Sequence, residues 1–179
     1  MNWPAPANAG GFLQVPRAHP ELARHLSLTV PAPPVELRTG EETAIIGILT
    51  NVGHGAMTVT HAGGASALLW EEGASAAVGG ELGWSTLVPK RVVLLPGKRL
   101  DLRVHVVGGL LNSLSLRNHP PSPLPPGVYR LRVYCHLSAA TAVGEAWDGW
   151  VLSPFYRVAV VDLRPAESGE PVPADGAGV

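Results

Sequence analysis

The sequence predicts an all-β protein built as two antiparallel layers around one core, and three features carry that prediction. Hydrophobic residues make up 46% of the 179, mostly Val, Leu, Ala and Ile, enough for one buried interior and too few residues for two full domains. The 21 Gly and 18 Pro interrupt them so often that short strands and turns are favoured over long helices. Two segments alternate strictly between apolar and polar residues, the period-2 pattern of a strand with one face in a core.

The elements follow in order. Residues 1 to 24 are rich in Pro, Ala and Gly and read as an extended arm with one short turn around "HPELARHL". The first strand is "HLSLTV", with Leu26, Leu28 and Val30 on one face, followed by the stop "PAPP" and a short extended piece, "VELRTG". "EETAIIGILTNVG" is apolar on both faces and predicts a central, well-covered strand. In "AMTVTHAG", Met57, Val59 and His61 alternate with Thr58 and Thr60, and "SALLWEEG" gives another short strand ending at Glu71 and Glu72. "GASAAVGGELGWSTLVPK" reads as a glycine-rich connection with a short strand near its end. After the Pro96-Gly97 turn, Leu100, Leu102, Val104 and Val106 point one way and Arg99, Asp101, Arg103 and His105 the other. A long loop, "GLLNSLSLRNHPPSPLPP", leads to the second alternating segment, which places Tyr129, Leu131, Val133, Cys135 and Leu137 inward and Arg130, Arg132, Tyr134 and His136 on the opposite face. "SPFYRVAVVDL" is the last strand. Seven to eight strands over residues 25–163, flanked by the arm and a tail over 164–179, predict an immunoglobulin-like antiparallel β-sandwich.

The runs "ILTNVG", "LLPGKRLDLRV", "PPGVYRLRV" and "FYRVAVV" resemble the bacterial immunoglobulin-like domains of the intracellular proteinase inhibitor family, called BsuPI-like, over roughly residues 35 to 163. The resemblance implies binding to, or inhibition of, an intracellular serine protease through exposed loops. Terminal arms, the glycine-rich connection and the proline-rich insertion depart from the smaller members.

The turn residues have structural roles of their own. Pro126 fixes φ and Gly127 permits a positive φ, so the chain re-enters the sandwich sharply and Tyr129 can lie across the corner, returning its hydroxyl to an upstream backbone group. Pro96 and Gly97 form the corresponding turn before the other alternating strand. In "TNVGHG", Asn51 supplies side-chain-to-backbone bonding and Gly53 left-handed tolerance.

Most chemistry is excluded by what is missing. The 13 basic and 14 acidic residues leave a net charge of −1 with no basic stripe, which argues against nucleic acid. The single cysteine, Cys135, sits among core-facing positions and forms no internal disulfide. The seven histidines show no metal-ligand spacing, no Gly-x-Ser-x-Gly elbow is present, and no glycine run leads into a phosphate-binding helix, so no catalytic residue, metal or cofactor is assigned. No signal sequence or 18-residue apolar run is seen, which predicts a cytoplasmic chain without a membrane partner.

What remains is protein binding. "SAATAVGEAWDGWVLSPF" is expected to be a loop whose Asp148-Gly149 turn shows Trp147 and Trp150 to one side, at the same end as His54 and Trp84. These residues form the expected partner surface of a non-enzymatic interaction module. The alternative is a structural or assembly subunit whose arms drape over neighbouring subunits.

Overall fold

A computed structural model of the chain describes residues 16–39, 41–61, 65–75, 77–81, 88–107, 111–112 and 124–162. Helix α1 (Pro20–His25) is started by Pro20, carries Glu21 in its first turn and Arg24 and His25 in its last, and is too short to stand alone. Leu22 anchors it, fully buried in the main core. Ala18 also bridges to Trp150, so residues 18–24, expected in the arm, belong to the folded unit.

Two sheets enclose that core. The smaller has β1 (Leu26–Thr29) and β8 (Arg99–Val107) on either side of β3 (Glu42–Asn51), all antiparallel. The larger is organised by β10 (Gly127–Thr141), which is long enough to take two partners along each edge. On one edge lie β12 (Tyr156–Val161) and then β11 (Ala146–Leu152); on the other lie β5 (Ser66–Glu71) and then β4 (Met57–His61). The sheet extends through β2 (Glu36–Arg38), parallel to β12, through β7 (Lys90–Leu94) beside β4, and through β6 (Gly79–Glu81) beside β5, with β9 (Leu111–Asn112) parallel to β6 beyond it. The described residues therefore form twelve strands where seven to eight were predicted, because short edge pieces such as β6 and β9 are added and the segment before the last strand, expected as a loop, is itself strand β11.

Both alternating segments behave as a half-buried strand must. Leu102, Val104 and Val106 are buried while Arg99, Asp101 and Arg103 are exposed, and Leu100 is half-buried against the same core. From β10, Tyr129, Leu131, Val133, Cys135 and Leu137 enter it, meeting Leu28 and Leu49 of the smaller sheet in one continuous cluster. Each such Leu or Val contributes about 1.5–3 kcal/mol of burial free energy.

One expectation is corrected here. Strand β3 is central but covered on one face only: Ile45, Gly47 and Leu49 are buried, whereas Ala44 is exposed and Ile46 is 44% exposed opposite Arg103. Strand β10, for its part, is covered in part on its outer face. Tyr134 is 1% exposed and forms a second small core with Leu68 and Trp70, against which Trp150 and Leu152 pack.

Candidate functional site

One end of the molecule is tied together by Asn51. Its Nδ2 donates to Gly55 O and to Leu94 O, at 2.8 Å each, and its Oδ1 accepts from Gly53 N at 2.9 Å. Its backbone N–H donates to Lys98 O while its carbonyl accepts from Gly97 N, so the Pro96-Gly97 turn is clamped to the end of β3. Gly97 has φ +73°, in the left-handed region where a side chain is strained. Gly53 does not, contrary to the sequence reading: a Cβ there would stand 2.8 Å from His25 Nδ1, so close approach is what requires glycine. His25 O accepts from Val52 N and Gly53 N, and its ring stacks on Trp147 at 5.2 Å. His54 lies exposed in this turn.

At the opening of β10, Tyr129 Oη donates to Pro125 O at 2.8 Å. Burial and the nearby Glu71 carboxylate push the phenol above its usual range, so it stays a donor. Gly127 is not in the left-handed region either, and a Cβ there would stand 3.4 Å from the Tyr129 ring, an ordinary contact, so neither a positive φ nor a close approach requires glycine at this position; Pro126 precedes it exposed.

The expected aromatic loop is a strand. Trp147, Asp148 and Trp150 lie in β11, opposite Ala139, Ser138 and His136 of β10. Trp147 and Trp150 are three residues apart, so the pleat sends them to opposite faces. Trp147 packs against the main core, and Trp150 packs with Tyr134 and His136 on the outer face. They do not form a shared tip. Trp84 lies outside the described residues.

What the register brings together is a row across four strands of the outer face: Arg91, Thr60, Ser138 and Asp148. With Thr58, Ala140 and Ala146 they line a shallow groove of about 350 Å³. Ser138 Oγ donates to one Asp148 oxygen, and His136 Nε2 stands 3.4 Å from the other. The order matters chemically. In a nucleophile triad the imidazole sits between serine and carboxylate to take the hydroxyl proton. Here the carboxylate sits between, so His136 is not placed to activate Ser138.

The same face continues at its other end as an arginine and aromatic cluster. The guanidinium carbons of Arg130 and Arg132 lie 4.8 and 4.7 Å from the Phe155 ring centre, and Trp70 meets that ring edge-on at 5.3 Å. The sequence places Arg130 and Arg132 on the face opposite the core but gives them no role; the signal was Trp70 and Phe155 in segments that flank the same strand. Among the described residues no group of three His, Cys, Asp or Glu side chains could hold a metal ion, and no helix is long and apolar enough to cross a membrane.

No protein-family model and no curated protein sequence matches the chain. Among solved structures, it is similar to β-glucosidase from Listeria innocua at 17% identity and a TM-score of 0.41, covering 75% of this chain and 16% of that one. A mutant of that β-glucosidase in complex with laminaribiose gives 20% identity and a TM-score of 0.38, covering 76% of this chain and again 16% of the other.

Proposed function

We propose that this chain is an immunoglobulin-like β-sandwich that acts as a non-enzymatic protein-binding module through the outer face of its larger sheet. The fold reading is supported by the three-stranded β1-β3-β8 layer facing a layer in which β2 joins β12 in parallel and every pairing around β10 is antiparallel. The observation that carries the function is the open groove across β7, β4, β10 and β11, floored by small side chains and flanked by the exposed Arg91, the exposed Asp148 and the half-buried Trp147. Hydroxyls and short side chains let a partner backbone approach closely, while charged groups at the two sides set its register.

The resemblance to BsuPI-like domains makes a serine protease the first partner to test. Inhibition is expected to reach completion near one equivalent of the chain. Retention of full protease activity at excess chain excludes the inhibitor form of this reading. Whatever partner is identified by capture on the immobilised chain, Ser138→Arg fills the groove and is expected to weaken its binding at least tenfold with the circular dichroism spectrum unchanged. Undiminished binding by a folded Ser138→Arg variant rules out this face.

A further inference from the structure

We propose that Arg130, Arg132 and Arg157, together with Phe155, form an oxyanion site on the outer face of the larger sheet that takes the carboxylates of an extended acidic segment of a partner protein. This rests on the protein-binding reading above and specifies the chemistry of what is bound.

Three observations converge on it. The first is uncompensated charge. Arg130 and Arg157 are direct cross-strand partners in the β10–β12 register, and Arg132 lies two residues along the same face. Like charges placed opposite one another destabilise a strand pair. Yet among the described residues the arginines in ion pairs are Arg24 and Arg38; none of these three meets a carboxylate.

The second is that two of the guanidiniums are held in place. Arg130 Nη2 donates to Ala74 O and Arg132 Nε donates to Ser153 O, both at 2.8 Å, and both groups lie against the ring of Phe155, which is 43% exposed. Side chains already fixed by a backbone acceptor and an aromatic surface lose little freedom when they bind. Each retains N–H donors that no described residue accepts, and Arg130 Nε is itself buried without a hydrogen-bond partner.

The third is partial desolvation. Both arginines are half-buried, and burial lowers the Arg132 guanidinium from its ordinary value. A cation removed from water without a counter-charge bears a cost that an incoming anion offsets.

The spacing selects the kind of anion. Arg130 and Arg132 are separated by two residues of strand, roughly 7 Å, the same repeat that separates alternate side chains of an extended peptide. The two side chains leave β10 one such repeat apart and both reach the Phe155 ring, so glutamates at alternate positions of a segment laid along β10 would offer one carboxylate to each guanidinium.

The test uses the full chain, a peptide of alternating Glu and Thr, the same peptide with Gln for Glu, and inorganic phosphate. Binding is followed by calorimetry and by the arginine Nε–H signals in NMR. The Glu peptide is expected to bind and to shift the Arg130 and Arg132 signals, the Gln peptide to leave them unmoved, and added salt to weaken the binding. Arg157→Gln, at an exposed position, and Arg132→Gln are each expected to lower affinity about tenfold or more, whereas Arg99→Gln on the other sheet leaves it unchanged. Should Arg132→Gln not fold, Arg157→Gln carries the result alone.

No binding of the Glu peptide, equal loss in Arg99→Gln, or binding of phosphate alone overturns the proposal. If an identified partner is lost on Ser138→Arg and retained on Arg157→Gln, this site fails while the protein-binding reading stands. Peptide binding that depends on Arg157, without any partner affected by Ser138→Arg, has the opposite meaning.

Discussion

Asn51 is the residue whose removal the structure prices most directly. It is fully buried and satisfies three groups from its side chain: the carbonyls of Leu94 and Gly55 and the N–H of Gly53. Asn51→Ala leaves all three without it. Gly55 is exposed and Gly53 partly so, and water can replace the side chain there at roughly 0.5–1 kcal/mol each. Leu94 is 2% exposed, so its carbonyl has no such recourse and is stranded at roughly 1–3 kcal/mol. The expected loss is about 3 kcal/mol, or a fall in Tm of roughly 6–12 °C for a chain of this size. Urea unfolding followed by tryptophan fluorescence measures it. Asn51→Asp sharpens the test, because at pH 7 the ionised side chain can still accept from Gly53 N–H but sets an oxygen against the Leu94 carbonyl. It is expected to cost at least as much as alanine at neutral pH and to recover in part below about pH 4, where the carboxyl is protonated. A loss under about 1 kcal/mol for alanine would refute the reasoning, since it would mean that the clamp between the ends of β3 and β7 is not closed by this side chain.

Three further outcomes are expected. Leu22→Ala should cost about 2–5 kcal/mol by chemical denaturation, because Leu22 is fully buried in the main core; a negligible loss would return α1 to the status of a loose arm. The Cys135 thiol, pushed up to about 12 by burial, should resist iodoacetamide at pH 8 until the chain is unfolded, and rapid labelling of the native protein, read by mass spectrometry, would contradict its placement. His61 titrates below its ordinary value of 6.5 because it is buried and faces the charge of Lys90. The unfolded state then binds a proton more readily than the folded one, so this contribution to stability is present above pH 6.5 and is lost as pH falls from there towards the folded value. Unfolding midpoints between pH 5 and 8 should show that slope in the native chain and a reduced one in His61→Gln.

The parts of the fold that the sequence announced are those with one wet and one dry face. Leu102, Val104, Leu131 and Val133 each have a polar neighbour on either side, and the period alone assigns their direction. Period says nothing about what covers the other face. That is why β3, with apolar residues on both sides, looked enclosed although Ile46 is open, and why Tyr134, with Arg132 and His136 as alternate neighbours, was placed opposite the core without a sign that it is buried there. The β11 strand was misread for a related reason. "WDGW" contains an Asp-Gly pair, a strong local turn signal, but the turn of this hairpin lies earlier, where Gly144 takes φ +91°, and pairing with seven residues of β10 holds Asp148 and Gly149 extended. Tertiary pairing overrode local preference, and the candidate site moved with it from a loop tip to a sheet face.

The two halves of that face are joined through Ser153, where the strand opposite β10 breaks. Pro154 follows it and has no N–H to give the ladder, so the break has to be satisfied by other means. Ser153 supplies them: its backbone N–H donates to Val133 O, its Oγ accepts from Val133 N at 2.9 Å and donates to Pro154 O, and its carbonyl holds Arg132. The break turns Phe155 out against both arginines while Trp150 and Asp148 stay in the ladder, Asp148 at the groove. A residue needed to close the framework therefore also fixes a charged group on the proposed binding face. Ser153→Ala removes the hydroxyl and leaves the Val133 N–H without its acceptor, so destabilisation and displacement of the Arg132 Nε–H signal should appear together. Loss of stability with an unmoved Arg132 signal would separate the framework from the face that it presents.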